Sequence, residues 1–281
     1  MSLVVLTNIP TPYRTAFFDA MAEEMARAGR RFHVLYCAKT EPGRHWPYEP
    51  VRMRHAHTVL RGFHPRIAGT TAHINPGVLA ELNRLRPDTL LMAGAWNTPT
   101  MLVAGLDICS RRPRRIFWSE GHAGAVLHRG GPVAWLRRRI YRTYDGFAVP
   151  NARSAEWALA QAGGPQAVFD LPNAVDGRFF ARPSVAARSE ARRRLGLPQA
   201  GRVLAQVSAL TERKGVLDLA QAFLALPAPA RTGAKLLFVG EGDRRADLER
   251  LAKATDDAVR VLGQLPPAEV RQVLWAADVF L

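Results

Sequence analysis

The sequence predicts an α/β fold with doubly wound parallel sheets, and three observations lead to this prediction. Short apolar runs alternate with stretches whose apolar residues recur at helical spacing. This alternation is typical of parallel strands joined by crossover helices. The series starts afresh near residue 199, and 281 residues are enough for two domains of ordinary size.

The first series predicts one complete domain over residues 1–172. Its strands are expected at residues 3–6, 32–37, 88–92, 115–118, 146–149 and 167–171. Its helices are expected at residues 15–28, 76–85, 98–110, 132–144 and 152–162. Residues 39–72 contain several prolines and histidines and are expected to form strand and loop without a helix.

A linker is predicted over residues 173–198, with an Arg-rich helix at 186–195. The second series follows at residues 199–281. Its strands are expected at 203–207, 235–239, 259–262 and 278–281, and its helices at 215–225, 244–254 and 267–276. Because the chain stops within a predicted strand, this second domain is expected to be incomplete, since a doubly wound sheet needs further strands to cover its edge.

The composition indicates a folded globular protein, with 48% hydrophobic and 22% charged residues. Only two cysteines occur, Cys37 and Cys109, which excludes a disulfide scaffold and a cysteine-based zinc site. No apolar run reaches the roughly eighteen residues of a membrane-spanning helix. The N-terminus lacks the basic and apolar regions of a signal peptide. We therefore expect a cytoplasmic protein.

Positive charge is concentrated in the first half of the chain. The formal net charge is +15. Residues 1–150 contain 21 Lys and Arg against 10 Asp and Glu, whereas residues 151–281 contain 18 against 14. Such an excess suits phosphorylated substrates, an anionic membrane surface or nucleic acid. Nucleic acid is the least favoured partner, because the sequence contains no recognition module for it.

The polar segment after the predicted strand at 203–207 is the strongest candidate for a binding site. It reads S-A-L-T-E-R-K-G over residues 208–215 and opens a helix. Backbone N–H groups at a helix N-terminus favour phosphate, and Arg213 and Lys214 add two cations there. The helix dipole disfavours cations at this end, so their presence favours a diphosphate site over the alternative, a solvated basic helix start.

Two further loops follow strands at the same predicted sheet edge, where the ligands of α/β proteins bind. The first contains Gly240, Glu241 and Gly242, and the second contains Gln264 and Leu265. A lone G-x-G is a weak motif. Three successive loops with glycine or cations at one edge, however, predict a nucleotide site.

Together these segments resemble the donor-binding domain of the retaining GT-B glycosyltransferases of family four, also called glycosyltransferase group 1. The resemblance rests on S-A-L-T-E-R-K-G, V-G-E-G-D, V-L-G-Q-L and W-A-A-D-V-F-L within residues 208–281. Residues 171–176, L-P-N-A-V-D, resemble the family's domain boundary, and residues 8–14, N-I-P-T-P-Y-R, resemble the first loop of one subgroup. The resemblance implies a GT-B fold with two Rossmann-like domains, the first on the acceptor side and the second binding the donor.

The resemblance also implies the parts of a donor site. Lys214, with Arg213 beside it, would bind the donor diphosphate, and Arg213 would compensate for the family Arg that is Ala209 here. Arg14, in the first loop, would add a cation where the family usually has a pair of glycines. Contacts with the donor nucleoside are implied for Gly240, Glu241, Gly242, Gln264 and Leu265.

The chemistry explains why such residues are needed. Glycosyl transfer builds negative charge on the leaving diphosphate, and cations or a helix N-terminus there lower the barrier. No acidic D-x-D metal motif is present in the sequence, so we expect no metal and no other cofactor. The family's paired glutamates, which grip the donor sugar, would follow Leu281, so the 281-residue chain by itself is expected to be inactive or incomplete.

Two residues after the predicted strand at 115–118 are catalytic candidates. The family's first-domain histidine follows a strand, and His122 in S-E-G-H-A-G fits that place. It would face the inter-domain cleft and bind the transferred sugar, with Glu120 as the second candidate; the alternative is a loop histidine without a role. Five other histidines share no metal-ligand spacing and are expected to lie in surface loops. They are His45, His55, His57, His64 and His73.

Two basic runs, residues 111–115 and 137–139, lie in the first domain. The second is on the predicted helix at 132–144, which also carries Trp135 and Tyr141. Basic and apolar residues do not segregate cleanly on this helix, which favours an ordinary surface helix with a buried stripe. The alternative is peripheral docking on anionic lipid, with the two aromatic side chains at the interface.

The sequence thus predicts a hexosyl-type glycosyltransferase. It would move a sugar, with retention, from a nucleotide-sugar donor to a glycan or lipid-linked acceptor in cell-envelope polysaccharide synthesis. It would be cytoplasmic, peripheral on the inner face of the membrane. Two alternatives stay open: a truncated, non-catalytic fragment, and a basic α/β protein that binds membranes or nucleic acid.

Overall fold

The computed structural model describes residues 1–42, 48–67, 70–106, 112–126 and 128–281. Predictions for His45, Cys109 and Arg111, and for the end of the helix at 98–110, lie outside the described residues. The chain forms two compact units, Met1–Asp176 and Gly177–Leu281. Each unit contains a parallel sheet with packed helices, which confirms the predicted α/β class.

The described part of the first unit contains nine strands, seven of which form its main sheet. In chain order they are β1 (Ser2–Thr7), β2 (Arg31–Tyr36), β3 (His57–Val59), β4 (Arg66–Ile67), β5 (Thr70–Thr71), β6 (Thr89–Ala93), β7 (Arg114–Trp118), β8 (Gly146–Val149) and β9 (Ala167–Asp170). The sheet has the order β3-β2-β1-β6-β7-β8-β9, and its pairs are all parallel. β4 and β5 form a short antiparallel hairpin.

Helices connect these strands. They are α1 (Pro12–Arg27), α2 (Val78–Leu85), α3 (Pro99–Ala104), α4 (Gly131–Tyr141) and α5 (Ala152–Ala162), with 3₁₀ turns at Pro50–Arg52 and Ala123–Ala125. α1 begins at Pro12 because a proline at the first helical position has the right φ and needs no N–H partner. The chain leaves α1 through Gly29, whose φ of 64° is left-handed, as predicted for a helix end.

The core of the first unit lies on both faces of its sheet. Successive residues of β1 point to opposite faces. Leu6 accordingly packs in one buried cluster with Met92, while Val5 packs in the other with Tyr36. Strands buried on both faces are apolar throughout, which is why β1 and β6 could be predicted from their short apolar runs.

The second unit contains a four-stranded parallel sheet in the order β12-β11-β10-β13. Its strands are β10 (Val203–Val207), β11 (Lys235–Val239), β12 (Val259–Val261) and β13 (Val279–Phe280). Its helices are α6 (Val185–Arg194), α7 (Val216–Leu224), α8 (Ala228–Arg231), α9 (Arg245–Lys253) and α10 (Pro267–Ala276), with a 3₁₀ turn at Glu212–Lys214. Buried clusters around Phe238 and around Leu237 cover its two faces.

The structure places α6 inside the second unit rather than in a linker over residues 173–198. Arg192 is 4% exposed, and its Nε donates a hydrogen bond of 3.0 Å to the carbonyl of Ala276 at the end of α10. Its Nη2 pairs with Asp278 at 2.8 Å. The Arg-rich sequence of this helix suggested a solvated connector, but one of its arginines is buried against its own unit.

Candidate functional site

The first unit has a cavity at the carboxyl edge of its sheet, where the strand order reverses between β1 and β6. Open α/β sheets bind ligands at such a reversal, because neighbouring crossovers leave a crevice there. The cavity has a volume of about 540 Å³. Residues at the ends of β1, β6 and β7 line it, together with side chains from α1, α4 and α5.

Arg14, a predicted donor-binding residue, lines this cavity from the first turn of α1. Its Nη1 donates to the hydroxyl of Thr7 at 3.0 Å and to the carbonyl of Ala93 at 2.8 Å. Its guanidinium lies 4.8 Å from the centre of the Trp118 ring. Three adjacent strands therefore hold the cation, since these three residues end β1, β6 and β7.

Glu120, a predicted catalytic residue, pairs with Arg14. The distance from its Oε1 to Nη2 of Arg14 is 3.6 Å. The carboxylate side chain is 46% exposed, whereas that of the arginine is 17% exposed. The sequence suggested the two residues independently, and the structure brings them together in the lining of one cavity. A ligand hydroxyl between them could accept from the guanidinium and donate to the carboxylate.

His122, the other predicted catalytic residue, lies apart from this pair. It is exposed and precedes the 3₁₀ turn at Ala123–Ala125. It is absent from the described residues that line the cavity, whereas Glu120 and Gly121 are present. Of the two predicted catalytic residues only Glu120 reaches this cavity, and the role of His122 stays a prediction.

Arg137, the first residue of the basic run at 137–139, is a cavity residue. It is 5% exposed, so it belongs to the buried stripe of α4 and not to its exposed basic side. Its Nε donates to Oε1 of Gln161 at 3.1 Å, its Nη2 donates to the carbonyl of His128 at 3.0 Å, and its guanidinium lies 5.3 Å from the Trp157 ring centre. The helical spacing of Arg137 with Tyr141 could have revealed its inward position.

Two histidines expected in surface loops are buried, so that prediction is wrong for them. His55 is 3% exposed, and both of its ring nitrogens have partners: Asp19 accepts from Nδ1 at 2.6 Å, and the hydroxyl of Tyr36 lies 3.0 Å from Nε2. Burial lowers the pKa of His55, although Asp19 opposes this shift. His73 is fully buried, with its Nε2 2.8 Å from Oε1 of Glu41.

The second unit brings three loops together at the carboxyl edge of its sheet. They follow β10, β11 and β12 at residues 208–215, 240–244 and 262–266. Backbone hydrogen bonds link each loop to the next: the N–H of Leu210 donates to the carbonyl of Glu241 at 2.8 Å, and the N–H of Gly240 donates to that of Gly263 at 2.8 Å. The predicted donor residues of this unit therefore lie in one connected set of loops.

Two glycines permit this close approach of the loops. Gly240 has a φ of 140°, and a Cβ there would lie 1.9 Å from the carbonyl oxygen of Ser208. A Cβ on Gly242 would lie 2.2 Å from the carbonyl oxygen of Leu210. Both glycines were predicted as site residues, and the structure shows that any side chain at either position would displace backbone.

Arg213 and Lys214, predicted to bind diphosphate, lie in the 3₁₀ turn at Glu212–Lys214. Both side chains are exposed, and neither makes a hydrogen bond or ion pair with another residue of the described ranges. Glu212 of the same turn instead pairs with Arg244 at 2.7 Å. Gly215 then leads into α7 with a left-handed φ of 63°. Two cations without a counter-ion therefore lie beside the start of α7.

Glu241, Gln264 and Leu265 differ in what they contact. The carboxylate of Glu241 pairs with Arg245 and accepts a hydrogen bond from the backbone N–H of Gln264 at 3.3 Å. The side chain of Gln264 is exposed. Leu265 packs against the buried cluster around Leu237. Of these three residues, only Gln264 presents its side chain fully to a ligand at the edge.

In the described ranges, no group of three or more His, Cys, Asp or Glu residues is placed to hold a metal ion. No helix in the same ranges is both long and apolar enough to cross a membrane. Metal-free catalysis stays a prediction.

The sequence of the second unit decides the family. Residues 187–281 match the family model described as glycosyl transferases group 1. This part of the chain belongs to the group 1 glycosyl transferases. The match begins within α6 and continues to the end of the chain, so it includes all three loops at the carboxyl edge. The family predicted from the sequence is thereby confirmed.

Two curated relatives extend the similarity beyond residues 187–281. One is a GDP-mannose-dependent monoacylated alpha-(1-6)-phosphatidylinositol monomannoside mannosyltransferase of Corynebacterium glutamicum, 36% identical over 211 residues, which are 75% of this chain and 54% of that protein. The other is a 2-deoxystreptamine glucosyltransferase of Streptomyces kanamyceticus, 36% identical over 155 residues, 53% of this chain and 39% of that protein. The chain thus spans about half the length of the first relative and a smaller share of the second.

Solved structures share the fold. HepE of Anabaena in complex with UDP is 16% identical and has a TM-score of 0.68. The match includes 100% of this chain and 73% of the HepE chain. WaaG, a glycosyltransferase involved in lipopolysaccharide biosynthesis, has a TM-score of 0.64 at 16% identity and covers 99% of this chain over 74% of its own. The predicted GT-B type of the fold is confirmed.

Proposed function

We propose that this group 1 chain is part of a GT-B glycosyltransferase that moves a hexosyl unit, with retention, from a nucleotide sugar to a glycan or lipid-linked acceptor. The names of the relatives support the substrate classes, since one is GDP-mannose-dependent and acts on a phosphatidylinositol mannoside, and another is a glucosyltransferase. The lipid-linked acceptor in the name of the first relative favours cell-envelope glycan synthesis over the alternative of a fragment that binds no ligand.

The observation that carries the proposal is a pair of exposed cations, Arg213 and Lys214, whose side chains have no partner among the described residues. The pair lies beside the N-terminus of α7, so its charge adds to that of the helix dipole. A diphosphate at this place would neutralise both cations. During transfer the negative charge of the diphosphate grows, and cations already placed beside it would stabilise that charge without a metal.

The donor nucleoside would lie at the adjoining loops. Gly240 and Gly242 keep these loops free of side chains that would block backbone approach. Gln264 presents an exposed side chain at this edge, and Leu265 and Glu241 would support the pocket from behind it.

The acceptor would occupy the cavity of the first unit. A hydroxyl between Arg14 and Glu120 would be oriented by both side chains, and the nearby aromatic rings favour the apolar faces of a sugar or cyclitol. Glu120 is the better catalytic candidate of the two predicted, because it lines the cavity and His122 does not. His122 keeps a proposed role with the transferred sugar.

The outer face of α4 would dock on an anionic membrane. Trp135 is 61% exposed, Leu136 is 41% exposed, and Arg139 is exposed beside them. Aromatic, aliphatic and basic residues on one exposed face suit the boundary between lipid headgroups and acyl chains. We place the protein in the cytoplasm, peripheral on the inner face of the membrane, where a lipid-linked acceptor would be within reach.

Titration calorimetry of the 281-residue chain with UDP and GDP tests the donor site. A charged hydrogen bond contributes about 1.5 to 3 kcal/mol, so Lys214→Ala should weaken the preferred nucleotide roughly tenfold or more. Lys253→Ala is the matched control, because Lys253 is an exposed lysine at the far end of α9. Unchanged affinity in Lys214→Ala, or an equal loss in Lys253→Ala, would contradict the proposed diphosphate site.

A further inference from the structure

The carboxylate of Glu241 is turned toward the protein rather than toward the open edge of the second unit. Its side chain is 27% exposed and pairs with Arg245 of α9. Arg245 is held in turn by Glu249, whose Oε1 accepts from its Nε at 2.7 Å. One arginine thus connects two carboxylates, only one of which lies in a loop at the edge.

Glu241 also holds the next loop along the sheet. Its carboxylate accepts the backbone N–H of Gln264 at 3.3 Å, and its own carbonyl accepts the N–H of Leu210 at 2.8 Å. Through its backbone and its side chain, this residue therefore contacts the loops on both sides of its own. Glu249, by contrast, contacts Arg245 without reaching either loop.

The loop that Glu241 contacts is closely packed at Gly263. Gly263, which precedes Gln264, has a left-handed φ of 69°. A Cβ at this glycine would lie 3.3 Å from Oε1 of Glu241 and 3.3 Å from Nη1 of Arg245. The ion pair thus packs directly against the turn that presents Gln264.

We propose that Glu241 is a positioning residue for the nucleoside, which acts by fixing the Gln264 turn and does not contact the donor. The inference rests on the proposed function, because it assumes that a nucleoside binds at this edge. The backbone N–H of Gln264 already donates to Glu241, so the carbonyl and the side chain of Gln264 are the groups that could contact a ligand. Loss of the carboxylate frees the turn and weakens recognition of the nucleoside, while the diphosphate cations are untouched.

Binding of three probes to the full chain separates positioning from direct contact. With UDP, GDP and inorganic pyrophosphate as ligands, Glu241→Ala should weaken the preferred nucleotide at least fivefold and change pyrophosphate affinity by less than twofold. Glu241→Gln keeps an oxygen that accepts from Gln264 and should recover most of the affinity. Glu249→Gln, which alters the same arginine from its other side, should bind all three probes like the wild type.

A second measurement needs no ligand. Amide hydrogen exchange at Gln264, followed by NMR, should be several-fold faster in Glu241→Ala than in the wild type and unchanged in Glu249→Gln. An unchanged Gln264 amide, or an equal loss of nucleotide and pyrophosphate affinity, overturns the positioning role. A wild-type chain that binds pyrophosphate but neither nucleotide overturns the nucleoside part of the inference, and one that binds none of the probes overturns the proposed function as well.

Discussion

Arg14 is a cation in the first turn of a helix, where the helix dipole opposes positive charge. The structure compensates this cost with two hydrogen bonds, an aromatic ring and the carboxylate of Glu120. Four contacts thus fix one cation inside a cavity, which is more than an ordinary surface arginine makes. A fixed cation beside a carboxylate in one cavity indicates a binding site.

Asp257 is a second residue whose surroundings set its charge. Arg260 donates to its Oδ1 at 2.6 Å and Lys235 donates to its Oδ2 at 2.9 Å. The hydrogen bond from Arg260, helped by Lys235 and opposed by partial burial, lowers the pKa of Asp257 from 3.8 to about 2. A carboxylate with a lowered pKa in the folded state stabilises the protein above its unfolded pKa and loses this effect as the pH falls.

We therefore expect Asp257→Asn to lower the free energy of unfolding near neutral pH. The side chain is 52% exposed, so screening by water limits the loss to about 1 kcal/mol or less. The difference from the wild type should be nearly constant above pH ~5 and should shrink as the pH falls from ~5 to below ~2. Chemical denaturation across this range measures it.

Asp256→Asn is the matched control for this change. Asp256 also has a left-handed backbone, with a φ of 45°, but it makes no ion pair with another described residue. Its substitution should leave the unfolding free energy nearly unchanged at each pH. A difference between wild type and Asp257→Asn that does not vary with pH would show that the ion pairs are not its source.

At the scale of single elements, α4 shows how one helix serves two surfaces. Ala134, Arg137 and Tyr141 recur at helical spacing and are buried. Trp135 and Arg139 are one helical turn apart on the opposite side and are exposed. The inward arginine belongs to the cavity, and only the outward face is available for a membrane.

The outward face can be tested with vesicles that contain anionic phosphatidylglycerol. Replacing both Trp135 and Leu136 by Ala should reduce co-sedimentation about tenfold, because it removes most of the exposed apolar area of the face. Arg139→Ala should reduce it less, and the remaining binding should fall as salt rises above ~0.1 M. Binding by the double variant equal to that of the wild type would contradict a membrane role for α4.

Two exposed residues of the second unit serve as controls for this experiment. Val185 on α6 is 85% exposed and matches the apolar changes, while Arg202 is an exposed arginine before β10 that matches Arg139. Val185→Ala and Arg202→Ala should each bind vesicles like the wild type. An equal loss in either control would indicate a general effect of exposed area or net charge.

The same elements explain what the sequence can and cannot predict. β1, β10 and β11 were predictable because strands buried on both faces are mostly apolar. The Arg14–Glu120 pair was not, because it depends on the order in which β1, β6 and β7 lie side by side. The burial of His55 was missed since its partners, Asp19 and Tyr36, come from α1 and β2, and no local periodicity reports such a contact.

At the scale of the whole molecule, the two units have different chemical characters. The first carries most of the basic excess and has a cavity with its own cation and carboxylate. The second carries the group 1 family match and, beside a helix N-terminus, two exposed cations that no other described side chain pairs with. Under the proposed function, the first unit would bind the acceptor and any membrane surface, and the second unit would bind the nucleotide.

The central claim is that a nucleoside diphosphate binds at the three linked loops of the second unit. Hydrogen exchange across the full chain, measured with and without saturating UDP or GDP, tests this claim most directly. We expect slower exchange confined to residues 208–216, 240–245 and 262–266, together with the first turn of α7. No change with either nucleotide, or protection elsewhere without protection of these loops, would contradict the account.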